Sequence, residues 1–182
     1  MDFRGVARLV FPVPFTPFHF GPAALIKAIA PRHFSFSVFC FAQVVTDLEV
    51  LVHMALQDGA LHQHLHTYLG ATGMGLFSLL AGRPVCDQAL RWWRRTPGLP
   101  LKEYYDPSPG ISFVAALSGA FVGTYSHVFL DSVMHPDVMP WAPFSAFNWN
   151  YNLIGPGALH GLCVLSGLIG AWACARLPKG KL

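Results

Sequence analysis

Charged residues are scarce in this chain. Asp, Glu, Lys and Arg make up 12% of its 182 residues, and hydrophobic residues make up 53%, whereas an average soluble domain carries about 25% charged residues. The net charge is only +3, and no basic stripe alternates with aromatic residues, which argues against a nucleic-acid partner. This composition is typical of a membrane protein, and a soluble helical protein with an unusually large core is the alternative.

The sequence also lacks paired cysteines and a convincing leader. Its four cysteines form no CxxC pair, so we expect neither a disulfide framework nor a zinc–thiolate site. Arg4 and Arg8 could begin a signal peptide, but prolines interrupt VFPVPFTP (residues 10–17), and no long apolar core precedes a cleavage site. We therefore treat residues 1–182 as a single mature domain.

Long apolar segments predict an all-α fold, because none of them alternates with period two. We expect a polytopic membrane helical bundle of about four spanning helices plus a short N-terminal helix. The predicted spans are residues 34–56, 67–82, 111–134 and 157–175, and the short helix lies within 15–32. Lys and Arg occur on one side of this arrangement only, since the connections 57–66 and 135–156 contain none. This distribution predicts an inner-membrane protein with both termini in the cytoplasm.

Few ionisable residues interrupt the apolar segments, and such residues at membrane depth indicate a functional site. They are His19, Asp47, Glu49, His53, His62, His64, His66, His127, Asp131 and His160. His127 and Asp131 are four residues apart, as are His62 and His66, so each pair shares one helix face. Imidazole with carboxylate suits zinc and similar divalent ions, and this set could hold one or two.

Some of these residues also have simpler interpretations. His53 and His160 could be hydrogen-bonded core residues, and His135 could merely end its helix. Glu49 could pair with Lys27 or Arg32. The HQHLH run (62–66) leaves open which of its histidines point inward.

Four separated motifs carry a resemblance to a known family. They are PFTPFH (14–19), TD (46–47), LHTYLGA (65–71) and GTYSHVFLDSVMHPD (123–137). In this order they resemble a family of bacterial membrane proteins described as membrane-bound metal-dependent hydrolases, and more distantly the helical zinc phospholipase C group. The resemblance implies metal ligands at His19, Asp47, His66, His127 and Asp131. The family's Thr-His-Ser is Leu65-His66-Thr67 here.

The resulting hypothesis is a membrane-bound hydrolase that depends on a divalent metal, zinc for preference. His62 joins the metal ligands, and Asp47 and Glu49 are the candidate catalytic carboxylates. We expect a lipid or phosphoester-type substrate near the outer leaflet, because helix geometry puts the ligands at nearly one level in the outer half of the membrane. The alternatives are a transport or proton-relay protein, a metal-binding membrane protein without hydrolase activity, and a haem protein. A relay would spread the same residues along the depth of the membrane.

Overall fold

The structure is a computed structural model that describes residues 17–57, 61–98 and 110–177. All secondary structure in these ranges is helical, which confirms the all-α class. A 3₁₀ turn, Pro17–Phe20, leads into α1 (Gly21–Ile29), which is followed by α2 (Phe36–Leu56). Then α3 (Tyr68–Phe77) continues through a π-helical segment, Ser78–Gly82, into α4 (Arg83–Arg95). The last helices are α5 (Phe113–Met134) and α6 (Pro156–Cys174).

Within the described residues, three helices are long and apolar enough to cross a membrane, namely α2, α5 and α6. The segment predicted as the second of four spans is divided between α3 and the π-helical segment, so a fourth span stays a prediction. Arg4 and Arg8, which support the predicted side of the N-terminus, lie outside the described residues.

Helix boundaries follow from local chemistry. The N-cap residues of α2, α3 and α5 are Ser35, Thr67 and Ser112. Each hydroxyl accepts a hydrogen bond from the backbone N–H three residues later. These side chains satisfy donors that a first helical turn would otherwise leave without a partner.

Helices α2 and α5 run parallel to each other. Their first turns meet where Ser35 N donates to Ala115 O at 2.9 Å, and Gln43 Nε2 donates to Gly123 O at 3.1 Å farther along. A parallel pair requires a connection that returns along its length. The α3–α4 helix is this connection. At one end Tyr68 N donates to Pro140 O in the loop after α5, and at the other the thiol of Cys86 donates to Ser37 O near the start of α2.

Small residues allow α2 and α5 to pack closely. A side-chain Cβ on Gly119 would lie 2.4 Å from Ser35 O, and one on Gly123 would lie 2.9 Å from Ala42 Cβ. These two glycines form a GxxxG pattern, which favours close approach of helices in an apolar medium. The contact brings the polar residues of α2 and α5 into reach of one another.

Glycines likewise join α1 to α6. A Cβ on Gly21 would lie 1.8 Å from Cys163 O, and a Cβ on Gly170 would lie 2.3 Å from the carbonyl carbon of Ala24. The two helices run parallel at this contact. Because α1 has nine residues and α6 has 19, α1 covers only part of the length of α6, and the 3₁₀ turn before it ends inside the bundle.

Candidate metal centre

Four buried side chains from three parts of the chain converge inside the bundle: Asp47, His66, His127 and Asp131. α2 supplies the first, α5 supplies the last two, and the connection between α2 and α3 supplies His66. One ligand atom from each residue lies within 4.8 Å of the others. None of the four is more than 7% exposed. Buried groups of this kind need charged partners or a metal ion.

The spacing of the four atoms fits one metal ion. His127 Nε2 lies 3.1 Å from Asp47 Oδ1, 3.0 Å from Asp131 Oδ2 and 3.2 Å from His66 Nε2. His66 Nε2 lies 3.5 Å from the same Asp131 oxygen and 3.9 Å from the same Asp47 oxygen. Ligands arranged tetrahedrally around zinc stand about 3.3 Å apart. The four residues could therefore hold a divalent ion without large movement.

The other nitrogen of each histidine is held from outside the group. His66 Nδ1 donates to Glu49 Oε2 at 2.9 Å, and His127 Nδ1 donates to Gln43 Oε1 at 2.5 Å. When Nδ1 carries the proton of a neutral imidazole, Nε2 presents a lone pair. Metal-ligating histidines are usually oriented in this way by a carboxylate or a carbonyl oxygen.

The convergence creates a strong demand for positive charge. Two imidazole Nε2 atoms and two carboxylate oxygens face each other, and they repel unless protons or a cation lie among them. Burial would lower the pKa of His66, but its hydrogen bonds to Asp131, Asp47 and Glu49 raise that pKa well above its usual range. The same negative field favours a divalent cation.

Glu49 holds the connection between α2 and α3 in place. Its Oε1 accepts hydrogen bonds from the backbone N–H groups of His64 at 2.7 Å and Leu65 at 3.0 Å. Its Oε2 accepts from the N–H groups of Gln63 at 3.2 Å and Leu65 at 3.0 Å, and from His66. Both oxygens are thus engaged by this short segment.

The Glu49 carboxylate contacts His66 Nδ1, whereas the ligand atom of His66 is its Nε2. The catalytic role of Glu49 stays a prediction. The described residues show no ion pair between Glu49 and Lys27 or Arg32, and Lys27 Nζ donates to Pro31 O at 2.6 Å instead. Asp47, the other predicted catalytic carboxylate, lies among the four converging residues.

His19 lies beside this group. It is 2% exposed, and its Nε2 stands 3.6 Å from Asp131 Oδ1. Its ring meets that of His127 edge-on, with 5.3 Å between centroids. Neither ring nitrogen makes a hydrogen bond within the described part of the chain. Burial lowers the pKa of His19 to about 4, and the nearby Asp131 carboxylate offsets only part of this effect.

A second cluster lies toward the loops that follow α2 and α5. His62, His135 and Asp137 each have a ligand atom within 4.8 Å of the others. His62 Nδ1 is 3.0 Å from Asp137 Oδ2, and the rings of His62 and His135 stack at 4.5 Å. The ring of His62 also meets that of His66 edge-on at 4.7 Å. The structure therefore places the predicted ligand His62 in this outer cluster, next to the four converging residues.

The electrostatics of the outer cluster follow from partial burial. Burial and the neighbouring His66 lower the pKa of His62, although Asp137 acts in the opposite direction. Burial would raise the pKa of Asp137, but the hydrogen bond from His62 lowers it below its usual value.

Several functional positions were missed by the sequence analysis. Gln43 had no predicted role, yet it stands one helical turn before Asp47, which is a signal that could have found it. His135 does cap the C-terminus of α5, as its simpler interpretation proposes, but its ring also joins the outer cluster. His64 resolves part of the open question about HQHLH, because its side chain is 88% exposed.

Comparisons with known proteins found no relative of this chain. No family model, no curated protein sequence and no solved structure matches the chain. The resemblance to membrane-bound metal-dependent hydrolases therefore stays a prediction.

Proposed function

We propose that this protein is a membrane-bound hydrolase that uses a divalent metal, zinc for preference, held by Asp47, His66, His127 and Asp131. The observation that carries the proposal is the convergence of two Nε2 atoms and two carboxylate oxygens on one point. Their number, donor type and spacing are those of a four-coordinate zinc or similar site.

The same observation favours a metal centre over a proton relay. Asp47 lies about 17 Å along α2 and His127 about 21 Å along α5, in helices that are about 31 Å and 33 Å long. A relay would distribute its residues along this length, whereas these side chains meet at one level. Haem ligation by two histidines would leave both carboxylates unexplained.

When bound, the ion would polarise a carbonyl or phosphoryl oxygen or lower the pKa of a water molecule. With four protein ligands, this chemistry would require a fifth coordination position or the displacement of one carboxylate. The chain itself supplies orientation, because Glu49 and Gln43 fix the rings of His66 and His127. His19 supplies a buried neutral imidazole, and its single N–H could donate a hydrogen bond to a substrate oxygen. These groups suit hydrolysis of an ester or phosphoester bond.

We also propose four membrane crossings with both termini in the cytoplasm. In addition to α2, α5 and α6, α3 with the π-helical segment would cross the membrane. This crossing is needed because α2 and α5 run parallel and the chain must return between them. The described basic residues lie on or beside the helix ends opposite the metal centre: Lys27, Arg32, Arg83, Arg91, Arg94, Arg95 and Arg176. Positive charge on that side is expected to face the cytoplasm.

The surface near the centre suits a lipid-like substrate. The loop after α5 exposes large aromatic side chains, including Phe144 at 86%, Phe147 at 63% and Trp149 at 62%. Trp141, in the same loop, packs edge-on against Tyr68. Aromatic side chains of this kind favour a membrane interface. We place this loop at the outer leaflet, where it would meet membrane lipid.

Metal content and lipid turnover test the proposal together. The untagged protein should be purified in detergent, analysed for zinc and manganese, and incorporated into vesicles that contain fluorescent ester and phosphoester lipids. We expect at least one bound ion per chain and lipid cleavage that a chelator abolishes. His127→Gln should bind one ion fewer per chain than the parent and should lose lipid cleavage, and His64→Gln, at an exposed histidine, should match the parent in both. A bound ion without turnover of any lipid would reduce the protein to a metal-binding membrane protein, and absence of metal would overturn the proposal.

A further inference from the structure

We propose that His62, His135 and Asp137 form a second divalent-metal site, distinct from the buried centre and located between the two outer loops. The three residues come from the connection 57–67 and from the segment that follows α5. The inference goes beyond the proposed hydrolase, because it concerns residues that take no part in holding the inner ion.

Geometry supports a shared ion. His62 Nδ1 and Asp137 Oδ2 stand 3.0 Å apart, the same separation as His127 Nε2 and Asp131 Oδ2 in the inner group. One ligand atom from each of His62, His135 and Asp137 lies within 4.8 Å of the other two. Two imidazoles and a carboxylate suit zinc, cobalt or manganese. The ion would replace the proton that now joins His62 to Asp137.

Burial distinguishes the two sites. His62 is 7% exposed, but the side chain of Asp137 is 35% exposed, whereas all four inner residues are buried. Three protein ligands leave at least one coordination position open, as in zinc sites that bind water or a substrate group. We therefore expect the outer ion to exchange faster and to bind more weakly than the inner one.

The competing explanation is a hydrogen-bonded clasp between loops. Asp137 Oδ2 also accepts hydrogen bonds from the backbone N–H groups of Leu61 and His62, both at 3.3 Å. Asp137→Asn can keep such a clasp, because an amide oxygen still accepts these hydrogen bonds. It removes the negative charge that a metal site needs, so this variant separates the two explanations.

Zinc stoichiometry is the test. The untagged protein in detergent should be dialysed against zinc at a fixed free concentration, and bound zinc should be counted per chain. We expect two ions for the parent and one for Asp137→Asn. His135→Phe should also bind one, since it keeps the stacked ring but removes the nitrogen ligand. His64→Gln, the control in the same loop, should bind two.

The inner site is tested separately with Asp131→Asn. That variant should keep the outer ion and lose the inner one, so a failure of the inner centre would not imitate a failure of the outer site. Helix content by circular dichroism should match the parent in every variant. An Asp137→Asn variant that binds the same number of ions as the parent would refute the second site, whether the parent binds one ion or two.

Discussion

Replacing Glu49 with glutamine tests how the inner centre is held. Glutamine has nearly the same shape, but it exchanges one acceptor oxygen for an NH₂ group. Oε1 accepts from two backbone N–H groups, and Oε2 accepts from two such groups and from the Nδ1 of His66. Whichever position the NH₂ takes, at least one buried donor faces another donor.

The size of the effect follows from these contacts. A buried donor left without an acceptor costs about 1–3 kcal/mol. With one or two such donors, Glu49→Gln should lower the free energy of unfolding by about 2–4 kcal/mol. Loss of the carboxylate behind His66 should also weaken metal binding by about 10–100-fold, the usual effect of removing the partner of a metal-ligating histidine.

Two measurements check this expectation in detergent. Zinc affinity can be obtained by competition with a chromophoric chelator, and stability can be followed by thermal unfolding with and without zinc. His64→Gln serves as the control, because it changes a side chain of the same segment but leaves the backbone N–H that Glu49 accepts. The reasoning is refuted if Glu49→Gln binds zinc within twofold of the parent and unfolds at the same temperature.

Three further outcomes are expected. Asp131→Asn should retain parental helix content in circular dichroism but lose its inner zinc in equilibrium dialysis, because an amide is a poorer ligand than a carboxylate. Gly170→Val should lower the unfolding temperature, since its Cβ would lie 2.3 Å from Ala24 and overpacking costs about 1–3 kcal/mol; Gly161→Val, where a Cβ meets nothing within 4 Å, is the control. Zinc affinity, measured by chelator competition, should fall by up to about tenfold per pH unit per displaced proton as the pH is lowered. Affinity falls at lower pH because His66 has a raised pKa and must lose a proton to bind zinc. A zinc affinity that is independent of pH between about 6 and 8 would contradict this expectation.

The part of the site that depends on neighbouring residues could be predicted from the sequence. His127 and Asp131 are one turn apart on α5, so their shared helix face follows from spacing alone. The all-α class also follows, because the apolar runs exceed the length of ordinary strands. Asp47, His66, His127 and Asp131 are isolated polar residues in or beside apolar segments, and the fold brings these four together.

The remainder depends on contacts between distant segments. Gln43 reaches His127 across 84 residues, and Glu49 binds a segment whose path is irregular. The π-helical turn at Ser78–Gly82 has no simple periodic signature, and it divides the segment that hydropathy predicts as one span. Exposure of His64 beside buried His66 likewise depends on the path of the backbone between helices, which side-chain periodicity does not determine.

The parallel arrangement of α2 and α5 has a consequence for biosynthesis. In the proposed topology, Asp47 and Glu49 enter the bilayer with α2, but His127 is made 80 residues after Asp47. At about 5–20 residues per second, translation of that stretch takes about 4–16 seconds. During this interval Asp47 lacks its partner His127, whereas the partners of Glu49 follow it within 17 residues. The nascent chain must shelter Asp47 in the insertion machinery or by protonation, and loading of the four-ligand site is a late step that follows insertion of α5.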